Sequence, residues 1–304
     1  MSRLTLALAL ALASPAAAQA QRVSVPELGR SFASVQAAVS AIGAGRGTVR
    51  LAPGEYRECA VQEAGDVRIE AAPGTVTFVG TACEGKAALV LRGRTASVVG
   101  VNFRGIRVPD RNGSGIRHEA GRLTVERSRF IDSEQGILTA NDPALSLSVV
   151  RSDFSGLGDN DGGPSHGLYA GAIGRLEVRE CRFDRGTGGH YVKSRAAENI
   201  ILNSTFDDSR GRATNYMIDL AGGGRGTIGG NLFIQGAKKE NYSAFIAVAA
   251  EVREHAGEVT VENNRAQFAP GVTRESVFVA GWRGVRPVLR ANTLAPNLRA
   301  WEAR

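Results

Sequence analysis

Leu123-Thr124-Val125-Glu126-Arg127-Ser128-Arg129-Phe130 returns 24 residues later as Leu147-Ser148-Val149-Val150-Arg151-Ser152-Asp153-Phe154. It returns again 29 residues on as Leu176-Glu177-Val178-Arg179-Glu180-Cys181-Arg182-Phe183. The shared pattern is L-x-V-x-x-[S/C]-x-F, in which Leu and Val alternate as they do on one face of a strand. Looser copies end at Phe103, Phe206 and Phe233, so the six Phe are separated by 27, 24, 29, 23 and 27 residues. Between copies lies a second short apolar segment: Gly115-Ile116, Gly136-Ile137, Gly167-Leu168, Tyr191-Val192, Met217-Ile218 and Phe245-Ile246. Each repeat therefore holds at least two strands. Val49 to Tyr56 and Val67 to Phe78 extend the array upstream, and Val259 to Phe268 and Val288 to Leu294 extend it downstream.

A repeat of this length cannot bury its apolar side chains alone, whereas stacked copies can. The expectation is an all-β parallel β-helix of about ten coils over residues 47–294. Leucine-rich repeats share the period but need an L-x-x-L-x-L-x-x-N spacing that is absent, and an immunoglobulin-like sandwich would not place Phe equivalently six times. Glycine, 38 of 304 residues, is accounted for by coil corners. Ser34 followed by Val35, Ala38, Val39 and Ile42 predicts a helix stopped at Gly43. That helix, within an N-terminal segment 21–46, would cap the open core, and residues 295–304 read as a C-terminal tail.

Arg3, the apolar run Leu4–Ala13 and the small residues Ala16 to Ala20 have the form of a signal peptide over 1–20. No later segment is apolar for the eighteen or so residues a membrane span needs. A secreted or periplasmic protein working as a monomer is expected. Its net charge of +7 asks for an anionic partner, and export argues against nucleic acid and for an acidic polysaccharide. Between Arg92 and Arg129 nine Arg face three acids, which suggests a basic binding track. Cys59 and Cys83, 24 residues apart, fall at equivalent places on neighbouring coils and suit a disulfide, leaving Cys181 as a buried free thiol.

Aligning the second segments by their inward residue stacks Ile116, Ile137, Leu168, Val192 and Ile218. The next, outward position then reads Arg117, Leu138, Tyr169, Lys193 and Asp219, and the position two before the anchor includes His166, His190 and Tyr216. Arg195 shares the outward parity of Lys193. Three coils thus gather Tyr169, Lys193, His166, His190 and Arg195 as candidate catalytic residues, with Arg117, Tyr216, Asp219 and Arg212 as candidate substrate contacts. The mixture suits β-elimination from a uronate, which needs a neutralised carboxylate, a base for the C5 proton and an acid for O4. Lys193 is the candidate base and Tyr169 or a histidine the acid. C5-epimerisation shares the first step, and a non-catalytic carbohydrate-binding solenoid uses the same patch for binding alone. Hydrolysis would need paired carboxylates. Asp207-Asp208 adjoin the Phe206 corner instead.

No cofactor is demanded. Calcium is the one metal considered, with Asp159 and Asp161 of Gly158-Asp159-Asn160-Asp161-Gly162-Gly163 as its ligands.

Gly47-Thr48-Val49-Arg50-Leu51-Ala52-Pro53-Gly54-Glu55-Tyr56 resembles the first coil of secreted right-handed parallel β-helix proteins of the pectate-lyase-like superfamily, which implies that handedness here. Val192-Lys193-Ser194 followed by Asn199, Asn203 and Phe206 resembles the K-S…N…N-T-F/Y stretch of the chondroitinase B and alginate lyase family, which implies Lys193 as base. That family has acidic calcium ligands upstream, where this chain has Arg185-Gly186-Thr187-Gly188-Gly189, and an R-H-G where it has Leu220-Ala221-Gly222. Calcium would therefore not be placed in the same way, and Arg195, His190 or Arg212 would have to supply the cation.

Overall fold

A computed structural model describes residues 22–159 and 165–304; the leader-like residues 1–20 and Asp161 lie outside the described residues. The chain winds through three sheets in turn, and each sheet stacks ten parallel strands. The first sheet runs from Arg46–Leu51 to Val288–Arg290, the second from Gly54–Tyr56 to Thr293–Leu294, and the third from Ala60–Gln62 to Leu298–Ala303. The protein is thus a parallel β-helix, and crossovers between parallel strands of one sheet are nearly always right-handed. The segment from 295 onwards is not a loose tail. Leu298–Ala303 pairs with Ser276–Gly281 and closes the last rung.

The recurring Phe is the spine of the core. Tyr56, Phe78, Phe103, Phe130, Phe154, Phe183, Phe206 and Phe233 stack in one column with centroids 4.6 to 5.6 Å apart, close to the strand spacing of a sheet. The glycines preceding the anchors Ile116 and Ile137 make room for these rings. A Cβ on Gly115 or Gly136 would lie 2.7 Å from a ring carbon of Phe130 or Phe154. The column ends one rung earlier than its spacing suggested, because Ala266 and not Phe268 is in register with Phe233. There Phe245, Phe268 and Phe278 fill the interior edge to face.

The corner between the first and second sheets is left-handed in successive rungs, but glycine holds it only at Gly100 and Gly230. Arg127, Arg151, Glu180, Asn203, Asn263 and Ala291 occupy it elsewhere, with φ between 48° and 55°. A side chain there costs about 1–2 kcal/mol, and the next residue offsets that cost through a ladder between rungs. Ser128 N–H donates to Ser152 Oγ (3.2 Å), Cys181 N–H to Ser204 Oγ (3.1 Å), Ser204 N–H to Asn231 Oδ1 (2.8 Å) and Asn231 N–H to Asn264 Oδ1 (2.9 Å). The S-x-F of the repeat is therefore a hydrogen-bonding position followed by a core position.

The helix Val35–Ile42 buries Val35, Ala38, Val39 and Ile42, and Ser34 Oγ caps it by accepting from Ala37 N–H (3.1 Å). Gln36 closes the edge of the first third-sheet strand, accepting from Val61 N–H (2.7 Å) and donating to Val61 O (3.1 Å). An antiparallel strand, Val23–Val25, covers the first sheet. Cys59 and Cys83 form a disulfide between neighbouring rungs, and Cys181 is buried. Burial pushes the Cys181 thiol up to about 12, so it should react with a thiol reagent only when the protein is denatured. A thiol titratable under native conditions would contradict its place in the core.

Candidate functional site

On the outward face of the third sheet the registers bring Arg117, Leu138, Tyr169, Lys193 and Asp219 into one column, with one residue from each successive rung. The strands that carry the middle of this column, Leu168–Ala170, Val192–Ser194 and Ile218–Leu220, are held from inside by the buried anchors Leu168, Val192 and Ile218. Alternation then fixes the outward direction of Tyr169, Lys193 and Asp219.

These residues touch. Arg195 Nε donates to the Tyr169 hydroxyl oxygen at 3.2 Å, and Lys193 Nζ stands 5.6 Å from the centre of the Tyr169 ring. Lys193 Nζ is 3.9 Å from Asp219 Oδ2, which lies 3.6 Å from His190 Nε2. His190 N–H donates to His166 Nδ1 at 3.1 Å, and the two rings are 4.9 Å apart. His166 also meets Tyr169 edge to face at 5.3 Å.

The outward face is more covered than alternation alone implies. Where the turn from third to first sheet elsewhere takes three to six residues, as at 119–121 and 140–145, the eighth rung spends residues 249–258 on it. That segment lays Glu251 against both Lys193 and Arg195, and Glu254 Oε1 3.1 Å from Arg195 Nη1. Tyr216 packs with Ala244, Ala247, Val277 and Ala280 and meets Trp282 at 6.0 Å. Lys193 is 9% exposed and Asp219 2%.

Burial sets the charges. Desolvation, with Lys193 nearby, takes His166 down to about 3, and it carries His190 well below the usual imidazole range. Both rings are neutral near pH 7, and their contacts place them beside Tyr169 and Asp219. Asp219 is pushed up to about 7 by desolvation, against the pull of Lys193, and its Oδ1 has no hydrogen-bond partner.

A carboxyl whose pKa is raised in the folded state destabilises the fold as the unfolded chain ionises. The cost begins near pH 4, grows to about pH 7 and then stays constant. Asp219→Asn should therefore match the parent near pH 4 and exceed it by on the order of a few kcal/mol at pH 8, read from urea midpoints at the two pH values. A variant less stable than the parent at pH 8 would contradict this.

Beside the column lies a cleft of about 450 Å³, lined by Lys86, Asn112, Arg117, Leu138, Asn141 and Tyr169. Tyr169 and Arg117 are thus placed to meet a ligand. Tyr216 and Asp219, expected as substrate contacts, are buried in the apolar cluster and beneath Lys193, so they support the site from behind. Arg212 does not reach it. It lines a separate recess of about 360 Å³ with Arg107, Asp132, Asp159 and Thr187. Asp159 lies 3.3 Å from Arg111 Nη1, an ion pair that competes with any role in holding calcium.

The supposed basic track also disperses. Its arginines point from different sheets and corners to acids elsewhere in the chain: Arg92 to Glu63 and Glu119, Arg94 to Asp66, Arg104 to Glu55 and Arg129 to Asp153. The Asp207-Asp208 pair is no hydrolytic dyad, because Asp208 is wholly buried against Lys239 (3.2 Å) and accepts from the Tyr191 hydroxyl (2.8 Å).

The sequence reading missed Glu251, Glu254 and Trp282, which lie far along the chain from Lys193. The available signal was spacing. The interval between Phe233 and Phe268, 35 residues, exceeds every earlier one and marks a rung with extra chain.

No family model matches the chain, and no curated protein does. Among solved structures it is similar to the ORF18 protein of Geobacillus virus E2, at 14% identity over 88% of this chain, with a TM-score of 0.48. The chain spans 56% of the length of that viral protein. It is also similar to the surface protein and adhesin PfbA of Streptococcus pneumoniae (11% identity, 88% of this chain and 93% of that one, TM-score 0.48). A third likeness is to the A-module of the mannuronan C-5 epimerase AlgE4 of Azotobacter vinelandii (13% identity, 89% and 92%, TM-score 0.46). No helix among the described residues is long and apolar enough to cross a membrane.

Proposed function

We propose that the protein is an exported polysaccharide lyase that cleaves a uronate-containing glycan by β-elimination beside Tyr169. One observation carries this reading: a phenol whose oxygen accepts from Arg195 at 3.2 Å and whose ring lies 5.6 Å from the Lys193 ammonium, at the end of an open cleft. The leader-like residues 1–20 support export.

Elimination requires the uronate carboxylate to be neutralised so that the C5 proton becomes acidic. Lys193 and Arg195 supply that charge. Tyr169 acts as the phenolate, its charge matched by Arg195 and Lys193: the C5–H bond breaks with its proton passing to the phenolate oxygen, a C4–C5 double bond forms as the C4–O4 bond breaks, and the proton then passes from the Tyr169 hydroxyl to O4, restoring the phenolate. No net proton is consumed. In this assignment Lys193 neutralises charge and Tyr169 is the base, the Lys193 ammonium standing 3.9 Å from Asp219 Oδ2.

Incubation with a panel of acidic polysaccharides, followed by ultraviolet absorbance of the unsaturated uronate, tests the reading. Absorbance should rise with at least one of them. Binding without absorbance would instead favour a carbohydrate-binding solenoid.

A further inference from the structure

We propose that the cation pair Lys193 and Arg195 is the seat of the substrate carboxylate and that Glu251 is its built-in stand-in, displaced when a uronate binds. This rests on the uronate reading above and adds to it the group that the substrate must replace.

Glu251 bridges the two cations, with one carboxylate oxygen on Lys193 Nζ and the other on Arg195 Nη2. Such a two-oxygen anion on two donors is the arrangement a sugar carboxylate would adopt. The cations are fixed and the acid is the outermost member: side-chain exposure is 11% for Lys193, 21% for Arg195 and 42% for Glu251.

The backbone beneath Glu251 is tied down. Val252 N–H donates to Ala221 O (3.2 Å), Glu254 N–H donates to Gly222 O (2.9 Å), and His255 Nε2 lies 3.1 Å from Arg195 O. Exchange therefore takes a rotation of the Glu251 side chain and no opening of the segment. Arg195 keeps Glu254 and Lys193 keeps Asp219 throughout.

This arrangement selects for charge. A carboxylated sugar restores the ion pairs that Glu251 gives up, whereas a neutral or esterified sugar does not, and it would leave two partly buried cations short of a partner. The internal acid also lowers apparent affinity, because the open form of the site is a minor population.

The test compares the parent with Glu251→Gln, which keeps size and removes charge. Oligomers of galacturonate, mannuronate and hyaluronate, together with methyl-esterified oligogalacturonate, are titrated by calorimetry. In parallel, acetylation of Lys193 is followed by peptide mass; with four lysines in the chain, its peptide is unambiguous. The expected result is about tenfold tighter binding of a carboxylated oligomer by the variant, Lys193 protection at correspondingly lower ligand, and weak binding of the ester by both proteins.

Equal or weaker binding by Glu251→Gln would overturn the stand-in role while leaving the uronate reading in place. An ester bound as well as its acid would overturn the carboxylate seat. Failure of all the oligomers to bind either protein or to protect Lys193 would overturn the inference and the uronate reading together.

Discussion

Phe154→Ala should destabilise the protein by about 3–5 kcal/mol, the usual cost of emptying a buried aromatic position. Phe154 is in the middle of the ring column, 4.8 Å from Phe130 and 4.6 Å from Phe183, and is almost wholly buried. Two stacked contacts vanish with it, each worth roughly 0.5–1.5 kcal/mol beyond area burial. Collapse of the site is resisted because backbone ladders fix both neighbouring rungs at the strand spacing. In a solenoid the loss is felt by nearest neighbours first, so amide exchange should quicken most in rungs flanking Phe154. An unfolding free energy from urea titration within about 1 kcal/mol of the parent would contradict the role given to the column.

Tyr169→Phe should lower kcat by roughly 10²- to 10⁴-fold, the range for loss of a positioned acid–base group. KM should change little, since the ring that lines the cleft remains. The variant removes one oxygen whose hydrogen bond comes from Arg195, and Arg195 keeps Glu251 and Glu254. Folding should therefore be unaffected, as checked by an unchanged thermal transition. Lys193→Ala offers the complementary result. If Lys193 neutralises the carboxylate, its loss raises KM together with a fall in kcat, whereas a Tyr169→Phe enzyme with full activity would remove the phenol from the chemistry.

The fold was legible because its determinants are periodic. The inward anchors Ile116, Ile137, Leu168, Val192 and Ile218 can be aligned from spacing alone, and the alignment reproduces the observed registers. The same arithmetic placed Tyr169, Lys193 and Asp219 on one face.

It could not say how covered that face would be. Coverage comes from the irregular segment 249–258 and from Trp282, neither of which belongs to the repeat. Charge was misread for a related reason: a run of arginines along the chain winds around all sides of a solenoid, so linear clustering does not make a surface patch. Arg104 and Arg129 lie in the second sheet, Arg117 in the third and Arg122 in the first. Arg212 was misplaced because it opens an extra short strand, Arg212–Thr214, which pairs with Lys238–Lys239 outside the three sheets and faces a different recess. The buried state of His166, His190 and Asp219 followed from packing that no spacing encodes. It sets His166 and Asp219, and all but the edge of His190, away from solvent.

A lyase acting beside Tyr169 takes a proton from C5 and breaks the C4–O4 bond at one site. Proton NMR of the reaction in deuterium oxide tests it most directly, with the glycan that gives the largest absorbance change. Elimination gives shortened chains bearing a C4–C5 double bond, with no deuterium in the uncleaved residues. Deuterium at C5 of intact chains would show epimerisation instead, and an unchanged spectrum of a glycan that binds would show that the site holds its ligand without reacting.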